Sequence, residues 1–257
     1  MNDFQKEVKD RIASNARDER LKSDAAAFMR SSIASQYSYN FSWLGRPIIQ
    51  YPQDMIAMQE LIWSIQPDLI IETGIAHGGS LIFSASMLEL NAACGGPQDA
   101  SVLGVDIDIR PHNRQAIEAH PLFRRIEMIQ GSSVDPDVVA QVVRRASGKN
   151  RILVCLDSNH THAHVLAELQ AYGVDVFVHD PQADSDEAMH EYGVRPVCWD
   201  DLPRADAIVV AVAHREFKSL LIEDFCRKVV KGGCFIDVKS AFDRTALGEA
   251  GLRVWRL

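Results

Sequence analysis

The strongest chemical signal in the sequence is a glycine-rich turn that follows an apolar run. Residues 68–80 read DLIIETGIAHGGS, so a predicted buried strand ends at Glu72, and a loop containing three glycines leads into a predicted helix. Glycine lets the backbone approach a ligand closely, and the first turn of a helix offers unpaired N–H groups. The glycine spacing differs from the GxGxxG of dinucleotide sites, and the segment lacks the lysine of a phosphate-binding loop.

Glu72, the acidic residue just before this loop, indicates which class of ligand the loop could bind. A carboxylate repels a pyrophosphate but attracts a cationic or zwitterionic ligand. S-adenosylmethionine carries a sulfonium and an amino group, so it fits this turn better than a dinucleotide does. A tight turn from strand to helix, with no ligand, is the alternative interpretation.

Polar side chains also end the next two apolar runs. Asp106, in GVDID, ends the second run. An acid at this position, roughly 20–35 residues after the glycine loop, can accept hydrogen bonds from ribose hydroxyls. Such an acid would suit the adenosine of NAD and that of S-adenosylmethionine alike, so it does not indicate which of the two is the ligand. Ser132, in QGSS, follows the third run, where a loop could flank an adenine, although a plain turn is equally consistent with the sequence.

The fourth apolar run ends in LDSNHTHAH, which combines a carboxylate with histidines. Asp157 could hold Mg²⁺, an ion that prefers oxygen ligands, or it could cap a helix. His160 could take a proton from a substrate hydroxyl at neutral pH. Zinc is disfavoured, because His160, His162 and His164 alternate, residues i and i+2 of a helix do not share a face, and no cysteine lies nearby.

A parallel α/β sheet would bring these strand ends together. After residue 54, short apolar runs alternate with helical stretches, which predicts such a sheet. The predicted strands are Leu69–Glu72, Val102–Asp106, Ile126–Gln130, Ile152–Asp157, Val174–His179, Ala207–Ala213, Cys234–Val238 and Leu252–Trp255. The predicted helices are Met55–Ser64, Ser80–Leu90, Arg114–Ala119, Asp137–Arg145, Ala163–Tyr172, Glu187–Tyr192 and Ser219–Lys228.

Composition excludes several classes of protein. The 257 residues are 47% hydrophobic and 24% charged, as expected for a globular chain. The sequence has 27 Lys and Arg and 35 Asp and Glu. The resulting net charge of −8 argues against a nucleic-acid partner. No apolar run approaches the ~20 residues that cross a membrane, and the charged N-terminus is unlike a secretory signal. An odd number of cysteines, five, without a CxxC pair predicts free thiols and a cytoplasmic location.

Residues 1–54, which precede the alternating strands and helices, are predicted to form an N-terminal arm. Residues 1–36 have a helical period, and residues 36–54 are aromatic and rich in turns, which indicates either a lid or an arm packed on the core. The fold class is therefore α/β: a Rossmann-like, mostly parallel sheet with helices on both faces and an N-terminal helical and aromatic arm. The predicted domains are residues 1–54, 55–168 and 169–257.

Residues 36–169 resemble the cephalosporin-hydroxylase-like family, which includes rhamnosyl O-methyltransferase. The matching stretches are YNFSWLGRPIIQYPQD, PDLIIETGIAHGGSLIFSASMLEL, VLGVDIDIRPHNR and LDSNHTHAHVLAEL. The resemblance implies a methyltransferase that depends on S-adenosylmethionine, several members needing Mg²⁺, and that acts on a sugar or glycoside in polysaccharide or glycoside biosynthesis. It implies His160 as the base, Asp157 as a metal ligand, and a cofactor site formed by Glu72, Gly74, Ala76, His77, Gly78, Gly79, Ser80, Asp106 and Ser132.

Residues 169–257 resemble another family, the C-terminal domain of UDP-glucose/GDP-mannose dehydrogenases. The matching stretches are AELQAYGVDVFVHDPQAD, LPRADAIVVAVAHREFK and FIDVKSAFD. The resemblance implies a nucleotide-sugar-binding module in which His214, Arg215 and Lys218 meet phosphate or sugar. The dehydrogenase reaction is not expected, because that family's dinucleotide domain and catalytic cysteine are not found in this sequence.

The two resemblances make conflicting demands on one strand. The first places Ile152–Asp157 between the first and fifth strands of its sheet, whereas the second flanks it with VDVFVHD and AIVVAVAH. A strand edge pairs only once, so either the halves form separate sheets or VDVFVHD becomes the fifth strand. Three hypotheses follow: a methyltransferase with a small-molecule or saccharide substrate, a nucleotide-sugar-binding module, and a fusion inactive in both reactions. The sequence also allows a homo-oligomer.

Overall fold

Two compact units make up the protein. The computed structural model describes residues 3–256; residues 20–176 form the larger unit, and residues 177–256 belong with residues 3–19 to the smaller one. Met1, Asn2 and Leu257, which the predicted domain limits include, lie outside the described residues. Within that described part, no helix is both long enough and apolar enough to cross a membrane.

The larger unit opens with a helix and a short hairpin. Helix α1, in the smaller unit, covers Asp3–Asn15, and α2 covers Glu19–Ala34. After a 3₁₀ turn, β1 (Phe41–Trp43) pairs antiparallel with β2 (Arg46–Ile48). The connecting Leu44 and Gly45 both have positive φ, as a two-residue hairpin turn requires. Trp43 and Ile48 pack into the hydrophobic core, so the predicted aromatic arm is packed rather than free.

The centre of the larger unit is a four-stranded parallel sheet with the order β5-β4-β3-β6. Residues on alternate sides of β3 enter different clusters: Ile70 packs with α4, and Ile71 packs with α6. Helices therefore cover both faces, and the predicted α/β class is confirmed. The strands are β3 (Leu69–Thr73), β4 (Ser101–Asp106), β5 (Ile126–Gln130) and β6 (Ile152–Leu156). The helices are α3 (Pro52–Ile65), α4 (Gly79–Ala93), α5 (Pro111–Glu118), α6 (Pro136–Ala146) and α7 (His162–Ala171).

The smaller unit contains a second parallel sheet, with the order β7-β8-β9. Its core is aromatic: the Phe225 ring meets the edges of the Phe235 and Phe242 rings at 5.1 and 5.3 Å between centroids. The strands are β7 (Ala205–Val210), β8 (Val229–Asp237) and β9 (Arg253–Arg256). The helices are α8 (Ser185–Tyr192), α9 (Arg215–Lys218), α10 (Ile222–Lys228) and α11 (Arg244–Glu249).

The predicted strand Val174–His179 is wrong. This segment has no strand pairing, and its backbone partner is instead Val197, whose N–H donates to the Val178 carbonyl at 2.8 Å. The alternation V-D-V-F-V is typical of a strand, but local preference produces a strand only when the segment pairs with a sheet edge, and this segment pairs with none, although the outer edge of β6 is unpaired among the described strands. The conflict between the two resemblances is thus resolved as separate sheets, and β6 pairs with β3 alone among the described strands.

Candidate active site

The glycine loop lies at the carboxyl edge of the larger sheet, between β3 and α4. Gly74 begins it with φ +92°, and its N–H continues the ladder to the Val105 carbonyl at 2.8 Å. A Cβ on Gly74 would lie 2.6 Å from the Asp157 carbonyl carbon. Glycine is therefore required here, because the loop packs directly on the backbone that carries Asp157.

The two later glycines are also packed against protein. A Cβ on Gly78 would overlap the Ile117 side chain, and one on Gly79 would lie 2.6 Å from the Pro47 carbonyl carbon. Both residues are buried. Their lack of side chains thus lets α4 begin close to α5 and to the hairpin, and a role toward a cofactor stays a prediction.

Asp106, at the end of β4, holds the glycine loop in place through hydrogen bonds. Its Oδ2 accepts hydrogen bonds from the backbone N–H groups of Ile75 at 2.7 Å and Ala76 at 3.3 Å, and its Oδ1 accepts from Asp108 N at 2.9 Å. A carboxylate has about four acceptor positions, so capacity for a ribose hydroxyl is left. Fixing the loop is a role that the sequence analysis did not anticipate.

Two further polar residues hold the loop carbonyls. Arg46 donates through Nε to the His77 carbonyl at 3.0 Å and through Nη2 to Asn113 Oδ1 at 3.1 Å, while Asn113 donates to the Ala76 carbonyl at 2.9 Å. The sequence analysis missed both residues. The signal that could have found Asn113 is an uncharged polar side chain on the inward face of a short amphipathic helix, where it is only 4% exposed.

Glu72 is the most perturbed acid in the site. It is 4% exposed, and Ser80 Oγ, in the first turn of α4, donates to its Oε1. Burial raises the pKa of Glu72 to about 8; the Ser80 hydrogen bond lowers it, and the charge of Asp157 raises it further. A buried acid of this kind is stabilised in its charged form by a cation placed beside it.

Cys155 lies on β6 opposite Glu72 in the strand register. Burial, together with the negative charges of Glu72 and Asp157, raises the pKa of this thiol to about 12. The thiol therefore stays protonated at neutral pH and has little nucleophilic character. The five cysteines of the chain are free, as predicted.

Asp157 and His160 form a pair just beyond β6. His160 Nε2 lies 2.9 Å from Asp157 Oδ1, and both side chains are largely exposed. Asp157 does not cap α7, because the N-cap residue is Thr161. A carboxylate has no hydrogen to donate, so Nε2 carries the proton of a neutral His160 ring and Nδ1 is left as an acceptor.

The described side chains around Asp157 do not complete a metal site. Mg²⁺ is held by several oxygen ligands, and zinc by three or four nitrogen, sulfur or oxygen ligands. Among the side chains described, no group of three His, Cys, Asp or Glu could hold an ion; the His162 side chain is outside that set. Because Mg²⁺ can be held by one or two carboxylates together with waters, Asp157 as a magnesium ligand stays a prediction from the resemblance, and no step of the proposed mechanism depends on it.

A buried network joins the loops that follow β5 and β6. Ser132, the predicted contact to adenine, accepts through its carbonyl from Asp135 N at 3.0 Å. Its neighbour Ser133 donates through Oγ to Glu168 Oε1 at 2.6 Å, and Ser158 donates to the same oxygen at 2.7 Å. Glu168, on α7, is fully buried. The sequence analysis missed Glu168, since a glutamate in a helix usually faces solvent.

The smaller unit brings its predicted ligand residues close together at the carboxyl edge of its sheet. His214 precedes the short α9 that carries Arg215 and Lys218, and His214 Nε2 lies 3.4 Å from Asp180 Oδ1. A cavity of about 400 Å³ lies at the opposite, amino end of the strands. Two of the cations that line it donate to backbone carbonyls, Arg204 to Val229 at 3.0 Å and Lys228 to Leu202 at 2.8 Å, and a third, Arg227, pairs with Asp224.

Two family models match this chain. Residues 35–182 match the model described as Rhamnosyl O-methyltransferase/CmcI. Residues 159–244 match the UDP binding domain of the UDP-glucose/GDP-mannose dehydrogenase family. Both resemblances seen in the sequence are thereby confirmed.

The curated relatives include members of the same two groups. UDP-N-acetyl-D-glucosamine 6-dehydrogenase of Pseudomonas aeruginosa is 33% identical over 144 residues, which is 50% of this chain and 34% of that protein. Rhamnosyl O-methyltransferase of Mycobacterium tuberculosis is 32% identical over 121 residues, 46% of this chain and 44% of that protein. The chain thus spans less than half of either relative. An O-methyltransferase structure from Bacillus cereus, in complex with SAH, is 16% identical with a TM-score of 0.35, covering 64% of this chain and 67% of that one.

Proposed function

Because the chain belongs to the rhamnosyl O-methyltransferase/CmcI family, we propose that it is an O-methyltransferase that uses S-adenosylmethionine. The proposed acceptor is a hydroxyl group of a sugar or glycoside, as the names of the family and of its relatives suggest. Magnesium remains a prediction from the resemblance, with Asp157, which pairs with His160, as one ligand, and the steps proposed here do not depend on it.

The observation that carries the proposal is the buried Glu72 at the head of the glycine loop. Its carboxyl group is desolvated and faces the charge of Asp157, while Asp106 ends the neighbouring strand. A ligand with positive charge would relieve both the desolvation and the repulsion. S-adenosylmethionine carries two positive groups and an adenosine whose ribose suits Asp106.

The residues of this chain would bind the cofactor, orient it toward the acceptor and remove the proton of the acceptor hydroxyl. When bound, S-adenosylmethionine supplies a methyl group that an acceptor oxygen attacks as the carbon–sulfur bond breaks and its electrons return to sulfur. Glu72 and Ser80 hold the charged end of the cofactor, and Asp106 keeps the loop in its bound shape. His160 takes the hydroxyl proton at Nδ1, and Asp157 stabilises the imidazolium that forms.

Calorimetric titration tests the proposal directly. We expect S-adenosylmethionine and S-adenosylhomocysteine each to give saturable heat at one site of the full chain. ADP-ribose is the matched control, because its pyrophosphate would be repelled by the same acids, and we expect it to give none. Absence of heat with both sulfur compounds would contradict the proposed function.

Replacing His160 by asparagine should slow methyl transfer without weakening cofactor binding. A positioned general base contributes at least about 100-fold to the rate, so turnover of a sugar acceptor should fall by about that factor. Affinity for S-adenosylhomocysteine should change less than twofold, because His160 is not among the residues proposed to hold the cofactor. The rate is measured by transfer of a labelled methyl group, and the exposed His190→Asn serves as control. A His160→Asn enzyme with wild-type turnover would remove His160 from the mechanism.

A further inference from the structure

The network around Glu168 has a fixed hydrogen-bond polarity. Ser133 and Ser158 both give their hydroxyl hydrogens to Glu168 Oε1, at 2.6 and 2.7 Å. A serine hydroxyl has one hydrogen to donate and two lone pairs that accept. Once the hydrogen is committed inward, the oxygen can only accept from any other group. The wall that these two serines form is therefore an acceptor wall.

The contacts of His164 are consistent with this arrangement of donors and acceptors. Its Nε2 lies 3.3 Å from Ser133 Oγ and 3.4 Å from Glu168 Oε1. Since the Ser133 hydrogen already points to Glu168, the ring nitrogen must be the donor in both contacts. Every hydrogen in the cluster thus points toward the buried carboxyl group. Rotating either hydroxyl outward would leave the fully buried carboxyl group with one fewer donor, which is costly.

The loop that carries Ser133 starts beside Asp106, the proposed contact to the ribose. Gln130 is level with Asp106 in the register of β4 and β5, and Gly131 N donates to the Asp106 carbonyl at 2.8 Å. Ser133 is two residues further along the same loop. Ser158 follows Asp157 directly and is exposed. A ribose held at Asp106 would leave its base within reach of the loops that Glu168 joins.

We infer that Glu168, acting through Ser133 and Ser158, makes this site select a base that donates an exocyclic hydrogen bond over one that accepts it. The inference rests on the proposed function, since the base is that of S-adenosylmethionine. Adenine presents an exocyclic amino group to the wall. Hypoxanthine, its deaminated counterpart, presents a carbonyl oxygen that would face serine lone pairs. Glu168 is a positioning residue here, because it acts through the two serines.

The test compares S-adenosylhomocysteine with S-inosylhomocysteine by calorimetry. We expect the wild-type protein to bind the adenosyl compound about tenfold more tightly, or better. In Glu168→Gln the amide nitrogen can donate to a serine and free its hydrogen to turn outward. The preference should then fall to about threefold or less. A merely structural Glu168 would weaken both ligands equally and leave their ratio unchanged.

Control variants keep the result interpretable. Glu60→Gln makes the same chemical change at an exposed position on α3 and should keep the wild-type ratio. If Glu168→Gln does not fold, Ser158→Ala removes one acceptor and should lower the ratio by itself. Equal wild-type affinity for both compounds, or an unchanged ratio in the folded variants, overturns the inference. Failure of the wild type to bind either compound instead overturns the proposed function.

Discussion

Replacing Gly74 by alanine should destabilise the protein by about 4 kcal/mol, a loss expected only of a severe backbone clash. Two effects add. A φ of +92° is unfavourable for any residue with a Cβ, at roughly 1–2 kcal/mol. The new methyl group would also lie 2.6 Å from the Asp157 carbonyl carbon, so either the loop or the end of β6 must move. Urea unfolding followed by circular dichroism measures the loss.

Gly95→Ala is a matched control for this variant. Gly95 has nearly the same φ, +91°, but a Cβ there meets nothing within 4 Å. The control should therefore cost about 1–2 kcal/mol, from the conformation alone. Equal losses for the two variants would show that the loop does not press on the backbone of Asp157. A Gly74→Ala protein that does fold should also bind S-adenosylhomocysteine more weakly, because the loop is displaced.

The stability of the protein should fall as pH rises from 5 to 8, and Glu72 should be the cause. The pKa of Glu72 is about 8 in the folded protein, against 4.5 for an unperturbed glutamate. Between these values the folded state binds a proton that the unfolded state has lost. The contribution is complete below pH 4.5 and is lost as pH approaches 8. Each pH unit is worth about 1.4 kcal/mol, so the expected loss from pH 5 to pH 8 is about 4 kcal/mol.

Glu72→Gln should abolish this pH dependence, because glutamine does not titrate. The measurement is the free energy of unfolding at several pH values for the wild type, for Glu72→Gln and for the exposed control Glu60→Gln. Parallel curves for wild type and Glu72→Gln would contradict the assignment. Cofactor binding gives a second readout: if a cation pairs with ionised Glu72, wild-type affinity should rise with pH up to about 8, and the variant should lack that rise.

The positions of strands could be predicted from the sequence where both faces of the strand are buried. The run Leu69–Thr73 is buried at every position, and such runs between turn signals are easily recognised as parallel strands. The segment Val174–His179 has the same local preference, yet it forms no strand. Local sequence reports the tendency of a segment, whereas pairing depends on whether the rest of the chain brings the segment alongside a distant edge.

The site was predictable as a set of strand ends but not as a network. Glu72, Asp106 and Asp157 each follow an apolar run, and parallel topology places such ends at one edge. The contacts that hold them depend on side-chain directions over long sequence distances. Arg46 reaches a carbonyl 31 residues away, and Glu168 a serine 35 residues away. No local pattern encodes such pairs.

The outer side of β6 has a consequence for the protein in concentrated solution. Among the described strands β6 pairs on one side only, and its Ile152 and Val154 side chains are 39% and 42% exposed. An edge with open backbone groups and aliphatic side chains is a template on which another chain can add a strand. Crowding of molecules would favour such additions, so we expect association through this edge to increase with protein concentration.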